Sequence, residues 1–129
     1  MINISLAVLM VLMASNTSIN LFSIEEQYPT THLYELNIEK KRVKKNGERY
    51  FLFYTLGIKN NTKTDLKFML TDIDIRDSRN EWHLSQYDSY AKLTRQYLVI
   101  PSNSENKFSL YIVSEEPGLF VLKGVKFAE

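Results

Sequence analysis

The sequence predicts an all-β domain, a sandwich or barrel of short antiparallel strands, and three observations lead there. Apolar and polar residues alternate at period two, as in Tyr34, Leu36 and Ile38 against Glu35, Asn37 and Glu39; this is the pattern of a strand with one buried and one wet face. Turn signals recur at intervals of roughly ten residues, the spacing of small all-β domains. No stretch carries a helical period long enough to compete.

The elements follow in order. Tyr34 to Glu39 is the first strand, and Asn46-Gly47 supplies the hairpin signal after it, because a type I′ turn needs two residues that tolerate positive φ. The return strand, Tyr50 to Lys59 (YFLFYTLGIK), is apolar on both faces in its first half, as expected of a central strand covered on both sides. Asn60 to Asp65 is a polar turn cluster. Leu66, Phe68 and Leu70 alternate, and then Ile73 and Ile75. That change of parity predicts a bulge near Met69 to Asp72, since strict alternation would put one set on the wrong face.

Asp77 to Asn80 forms the next turn, and Trp82, read as a core anchor, opens a short strand with Leu84. Ser85 to Arg95 is the least regular stretch. Its Tyr87, Tyr90 and Leu93 lie at helical spacing, so it is expected to be a loop with one turn of helix, crossing between sheets. Tyr97 to Ile100 is a strand ended by Pro101, and Ser102 to Asn106 is a turn. Phe108, Leu110 and Ile112 alternate with Ser109, Tyr111 and Val113, and Glu115 to Gly118 leads into a last strand, Leu119 to Phe127. About seven strands in about 100 residues is the count of an immunoglobulin-like antiparallel sandwich; a small barrel is the alternative. No repeat or low-complexity linker divides the chain, so residues 25–129 are expected to be one domain.

Ahead of it, Met1 to Ile24 holds no charged side chain, and Leu6 to Ala14 (LAVLMVLMA) is a continuous apolar run. Its length is that of a signal-peptide core, short of the roughly 20 residues of a membrane-spanning helix. Residues 1–24 are therefore expected to be a signal peptide, cleaved near Ala14 to Ser18, or an N-terminal anchor associated with a membrane. No Lys or Arg precedes the run and no small-x-small site follows it. The predicted location is secreted or cell-envelope, with a cytoplasmic protein as the alternative.

Composition narrows the function classes. With 44% apolar and 24% charged residues and a net charge of +1, the chain has a core to bury and no global charge to drive binding to nucleic acid or anionic lipid. It has no cysteine, hence no disulfide, thiolate nucleophile, cysteine zinc site or cysteine lipid anchor. Any histidine base must be His32 or His83; neither lies in a nucleophile elbow and no G-x-S-x-G occurs. A non-enzymatic protein without a cofactor is expected. Asp72, Asp74, Asp77 and Glu81 place four carboxylates within ten residues. They lack the spacing of an EF-hand, and a solvated strand face accounts for Asp72 and Asp74, so no metal site is assigned.

The interaction candidates are a dense basic run, Lys40, Lys41, Arg42, Lys44 and Lys45, at the first hairpin, and the tyrosines Tyr87 and Tyr90 of the irregular stretch. The run suits anionic wall polymer, lipid headgroups or nucleic acid, and the partner expected overall is a protein or an anionic envelope polymer; equally, the run guards an edge strand against aggregation. Aromatic interleaving of the kind used on single-stranded nucleic acid is missing, so no nucleic-acid partner is expected. The Phe51 and Phe53 face is the other place where a partner would sit.

The order "GIKNNTKTDLKF", "DIDIRDSRNEW", "LVIPSNSENKFSLYIV", "PGLFVLKGVKF" resembles small bacterial cell-envelope domains of immunoglobulin-like fold and mostly unknown function, over Tyr34 to Phe127. It is also similar to the sandwich-fold intracellular proteinase inhibitors of bacilli, although Asn103-Ser104-Glu105 stands where they carry Gly-Glu. The first resemblance implies an exported, non-enzymatic interaction module. The second implies an inhibitor presenting a loop such as Ser85 to Arg95, and a cytosolic or membrane-anchored accessory protein is the third reading.

Overall fold

The computed structural model describes residues 23–26, 31–88 and 96–128. Among them are nine strands: β1 (Ser23–Glu26), β2 (Tyr34–Asn46), β3 (Arg49–Asn60), β4 (Leu66–Phe68), β5 (Ile73–Arg76), β6 (Gln86–Tyr87), β7 (Leu98–Ile100), β8 (Glu105–Ser114) and β9 (Leu119–Val125). They form a four-stranded sheet in the order β2-β3-β8-β6, a three-stranded sheet in the order β1-β9-β5, and a β4-β7 pair. All pairings are antiparallel except β1 on β9. The described chain is all-β, and its architecture is consistent with a β-sandwich.

The core follows from parity. Leu52, Tyr54, Leu56 and Ile58 of β3 and Leu110 and Ile112 of β8 point to one side of the large sheet. There they join Phe68, Leu70, Ile73, Ile75, Ile100, Phe120 and Leu122 in one buried cluster. Tyr54 is fully buried; its hydroxyl shares a hydrogen bond with the hydroxyl of Ser85, which is also buried. Burial pushes the Tyr54 phenol up, and the bond to Ser85 offsets only part of this. β3 lies between β2 and β8, the central place expected of it, but it is not packed on both sides, since Phe51 and Phe53 of its other face stand outside the core cluster.

Four further readings are corrected. The parity change between Leu70 and Ile73 is made by a 3-10 turn, Leu70–Asp72, and not by a bulge. Asp72 closes it by accepting from Met69 N through Oδ2 at 2.8 Å while its own N–H donates to Met69 O at 2.9 Å. The turn lifts the chain from the β4-β7 pair into the sheet of β5, which makes two strands of the one expected. Trp82 is not a core anchor: it is 41% exposed, and its only ladder contact is an isolated bridge to Arg76. Its indole Nε1 donates to Ile73 O at 3.0 Å and His83 N donates to Ile75 O at 3.0 Å, so this segment caps the open edge of β5.

The hairpin turn sits one residue later than expected, at Gly47-Glu48 between the paired Asn46 and Arg49. Gly47 alone has positive φ, 65°, as a type II′ turn requires. Finally, the count rises because β1 and β6 arise where no strand was expected. Ser23 and Ile24, grouped with the leader in the sequence reading, pair with Leu119 and Phe120. The rest of the leader, like Tyr90 and Leu93, lies outside the described residues. β9 carries a bulge of its own, since Asp74 pairs with Gly124 and Ile75 with Leu122. Gly124 at φ 150° admits it.

Among the described residues no helix is long and apolar enough to cross a membrane.

Candidate functional site

The basic run occupies the second half of β2, an edge strand of the four-stranded sheet. Its pairing with β3 shifts between Lys40 and Arg42. Before the shift Lys40 lies opposite Tyr54; after it Arg42 lies opposite Phe53, Val43 opposite Leu52, Lys44 opposite Phe51 and Lys45 opposite Tyr50. Directly paired residues share a face, so the extra residue, Lys41, divides the run. Arg42 and Lys44 stand on the outer face, whereas Lys40 and Lys45 share the other face with Tyr54 and Tyr50. Lys45 Nζ lies 5.4 Å from the Tyr50 ring centroid, and Lys41 pairs with Glu39 at 3.1 Å.

The shift has a simple cause. Leu36 and Ile38 must face the core from even positions and Val43 from an odd one, and only an inserted residue serves both.

On the outer face Arg42 and Lys44 meet aromatic side chains. Phe53 lies opposite Tyr111 of β8, which lies opposite Gln86 of β6. The Phe51 and Tyr111 rings are 5.6 Å apart at 20°, and Phe53 and Tyr111 are 5.4 Å apart at 42°. The Arg42 guanidinium sits 4.0 Å above the Phe53 ring centroid, within cation–π range, and its Nη2 is 3.7 Å from Asp88 Oδ2. A shallow depression of about 260 Å³ lies here, floored by Phe51, Phe53 and Tyr111 and rimmed by Arg42, Lys44 and Asp88. Toward the other end of the same face the rows turn polar: Glu39, Thr55 and Ser109, then Asn37, Gly57 and Lys107.

Tyr87 is not part of this face. It lies opposite Leu110 and packs against the core, and burial raises its phenol. Gln86, its neighbour, takes the outer position and accepts a hydrogen bond from the Tyr111 hydroxyl at 3.2 Å.

Three of the four carboxylates, those of Asp72, Asp74 and Asp77, have separate structural tasks, and Glu81 meets Asp77 through its backbone; among the described residues no acidic or histidine cluster suited to a metal ion is formed. Asp72 closes the 3-10 turn, Asp74 pairs with Arg76 at 2.8 Å, and Asp77 organises the turn after β5. Asp77 Oδ1 accepts from Arg79 N and Glu81 N, both at 2.9 Å, and its Oδ2 lies 2.9 Å from His83 Nε2. The His83 side chain is only 16% exposed. Its Nδ1 lies 3.0 Å from Val113 O and its ring packs edge-on to Phe120 at 5.2 Å, so both ring nitrogens are engaged and neither is placed to serve as a base. His32 is exposed in the bend before β2.

Burial pushes the Asp77 carboxyl up, but the hydrogen bond from His83, those from Glu81 and Arg79, and the His83 charge outweigh it and hold the carboxyl below its ordinary value. A depressed folded pKa stabilises the fold above the unfolded value of about 3.9, and this is lost as pH falls through the folded value. Thermal unfolding followed from neutral to strongly acidic pH is therefore expected to show a steeper acid-side fall in Tm for the native chain than for Asp77→Asn. Parallel acid limbs would remove Asp77 as a source of acid sensitivity.

Comparison with protein-family models, curated proteins and solved structures finds no match to this chain.

Proposed function

We propose that this chain is a non-enzymatic protein-binding module, an exported immunoglobulin-like domain of the envelope type it resembles, whose binding surface is the hairpin half of the outer face of the four-stranded sheet. One observation carries the reading: the residue inserted at Lys41 brings Arg42 and Lys44 onto the same face as Phe51, Phe53 and Tyr111. Aromatic residues and arginine are the side chains most enriched where proteins bind proteins. Phe51 and Tyr111 are only partly buried there, and neither belongs to the core cluster.

A photo-crosslinking residue placed at Lys44, and as a control at Lys107 on the polar half of the same face, tests the reading in cells of the source organism. The expected result is a discrete protein adduct from position 44 that is absent from position 107 and lost when Tyr111→Ala is added. Equal adducts from both positions, or an adduct made of polysaccharide, would overturn it.

A further inference from the structure

We propose that the partner presents an acidic peptide segment, and that Arg42 takes up one of its carboxylates in exchange for Asp88. The inference rests on the protein-binding reading of this face and adds the chemistry of the ligand. The Arg42 guanidinium carbon lies 4.0 Å over the Phe53 ring centroid, and its Nη2 lies on the Asp88 side of the depression; the N–H donors of a guanidinium form a planar fork suited to a carboxylate. Asp88 neutralises this charge without satisfying it. The separation of 3.7 Å is too long for a charge-assisted hydrogen bond, and the two side chains are 57% and 41% exposed. Such a solvated pair is weak. It holds Arg42 over the ring at little cost to an incoming carboxylate that can form the two-pronged contact Asp88 does not make.

Lys44 supplies a second cation on the same face, two residues along β2. Strand geometry places it about 7 Å from Arg42, the spacing of alternate side chains in an extended peptide. The floor of Phe51, Phe53 and Tyr111 adds an apolar surface for the remainder of the segment. The two cations thus favour an acidic segment and the aromatic floor favours one that also carries an aromatic residue, while Asp88 acts as an internal competitor for its carboxylate.

The competitor gives the proposal a signature that simple charge attraction lacks. The full chain is titrated with a glutamate-rich peptide carrying one central phenylalanine, with binding followed by NMR shifts of the Phe51, Phe53 and Tyr111 rings. Binding is expected to weaken at higher ionic strength. Arg42→Ala should weaken it at least about tenfold, and Arg42→Lys nearly as much, since lysine keeps the charge but not the fork. Asp88→Asn should tighten it by about three- to tenfold by freeing Arg42. Lys45→Ala, an equal loss of charge on the other face, should change it less than about twofold.

Unchanged or weaker binding by Asp88→Asn would overturn the exchange, as would an effect of Lys45→Ala equal to that of Arg42→Ala. Polygalacturonate showing the same affinity and the same gain in Asp88→Asn would replace the peptide with an acidic polymer and so overturn the assignment. Loss of peptide binding while the crosslink at position 44 persists removes this chemistry and leaves the protein-binding reading in place; loss of the crosslink removes both.

Discussion

Asn60→Asp is expected to cost the domain about 3 to 5 kcal/mol at neutral pH, the range for an uncompensated buried charge. Asn60 is fully buried at the end of β3, and every polar atom of its side chain is used. Its Nδ2 donates to Thr64 O, Ile100 O and Pro101 O at 2.8, 3.0 and 3.2 Å. Its Oδ1 accepts from Thr62 N at 2.9 Å and Thr62 Oγ1 at 2.6 Å. One side chain thereby ties the end of the central strand to the loop before β4 and to the end of β7.

Aspartate keeps the acceptor half and turns a carboxylate oxygen toward three carbonyls. The expected drop in Tm exceeds about 10 °C for a domain of this size. Its sign with pH is diagnostic. The new carboxyl is raised in the folded state, so the penalty is complete above the folded pKa and fades as pH falls toward the unfolded value of about 3.9. Asn60→Ala loses the same donors without a charge, and its deficit of about 3 kcal/mol should not vary with pH in this way. Thermal unfolding of the two variants across the acidic range separates these outcomes; matching pH profiles would show that the charge is not what destabilises Asn60→Asp.

The role of Asn60 was not legible in the sequence. Asn60 to Asp65 reads as a solvated turn because asparagine, threonine and aspartate are turn formers, and nothing local distinguishes a buried turn residue from an exposed one. Its partners Ile100 and Pro101 are distant in sequence. Features set by local chemistry were legible: the central strand, the alternation of β8 and the turn at Asp77 to Asn80. The parity change at Leu70 to Ile73 was visible as well. Parity reports that one face changes into another and not by what means, so a bulge and a 3-10 turn look alike from the pattern.

For the candidate site, placing the turn at Asn46-Gly47 instead of Gly47-Glu48 moves the β2-β3 pairing by two residues. A shift of two leaves each side chain on its own face: under the earlier turn Arg42 would lie opposite Phe51 and Lys44 opposite Arg49, still on the face of the two phenylalanines. The Phe51 and Phe53 face, like the Tyr87 and Tyr90 stretch, was offered as a place for a partner by the sequence. The division of the basic run was not drawn from it, although the apolar positions Leu36, Ile38 and Val43 change parity across Lys41 and carry the signal. Asp88 and Tyr111 are brought to Arg42 and Phe53 by strands far along the chain, and no spacing announces such a meeting. Trp82 misleads for another reason: its ring is apolar, but its indole N–H has work to do at the open edge of β5.

Phe68→Ala should remove about 3 to 5 kcal/mol, the cost of emptying a fully buried phenylalanine site, and the loss should be uneven across the molecule. Phe68 is wholly buried. It packs edge-on against Phe108 of β8 at 5.5 Å and Phe127 beyond β9 at 5.8 Å, and Phe127 in turn meets Tyr34 of β2 at 4.8 Å. One ring therefore links the large sheet to the tail of the small one. Its own strand is only three residues long and pairs with β7 alone, so β4 has little ladder to hold it once the ring is gone. Ala128 N donates to Lys67 O at 2.8 Å and should loosen with it. Hydrogen exchange is expected to lose protection first at β4, β7 and Ala128, while β3 and β8 keep theirs up to the lowered global stability. Phe68→Leu, which keeps much of the volume, should recover a large part of the loss. A uniform fall in protection, with β4 no more affected than β3, would mean that the ladder and not the ring holds this corner of the fold.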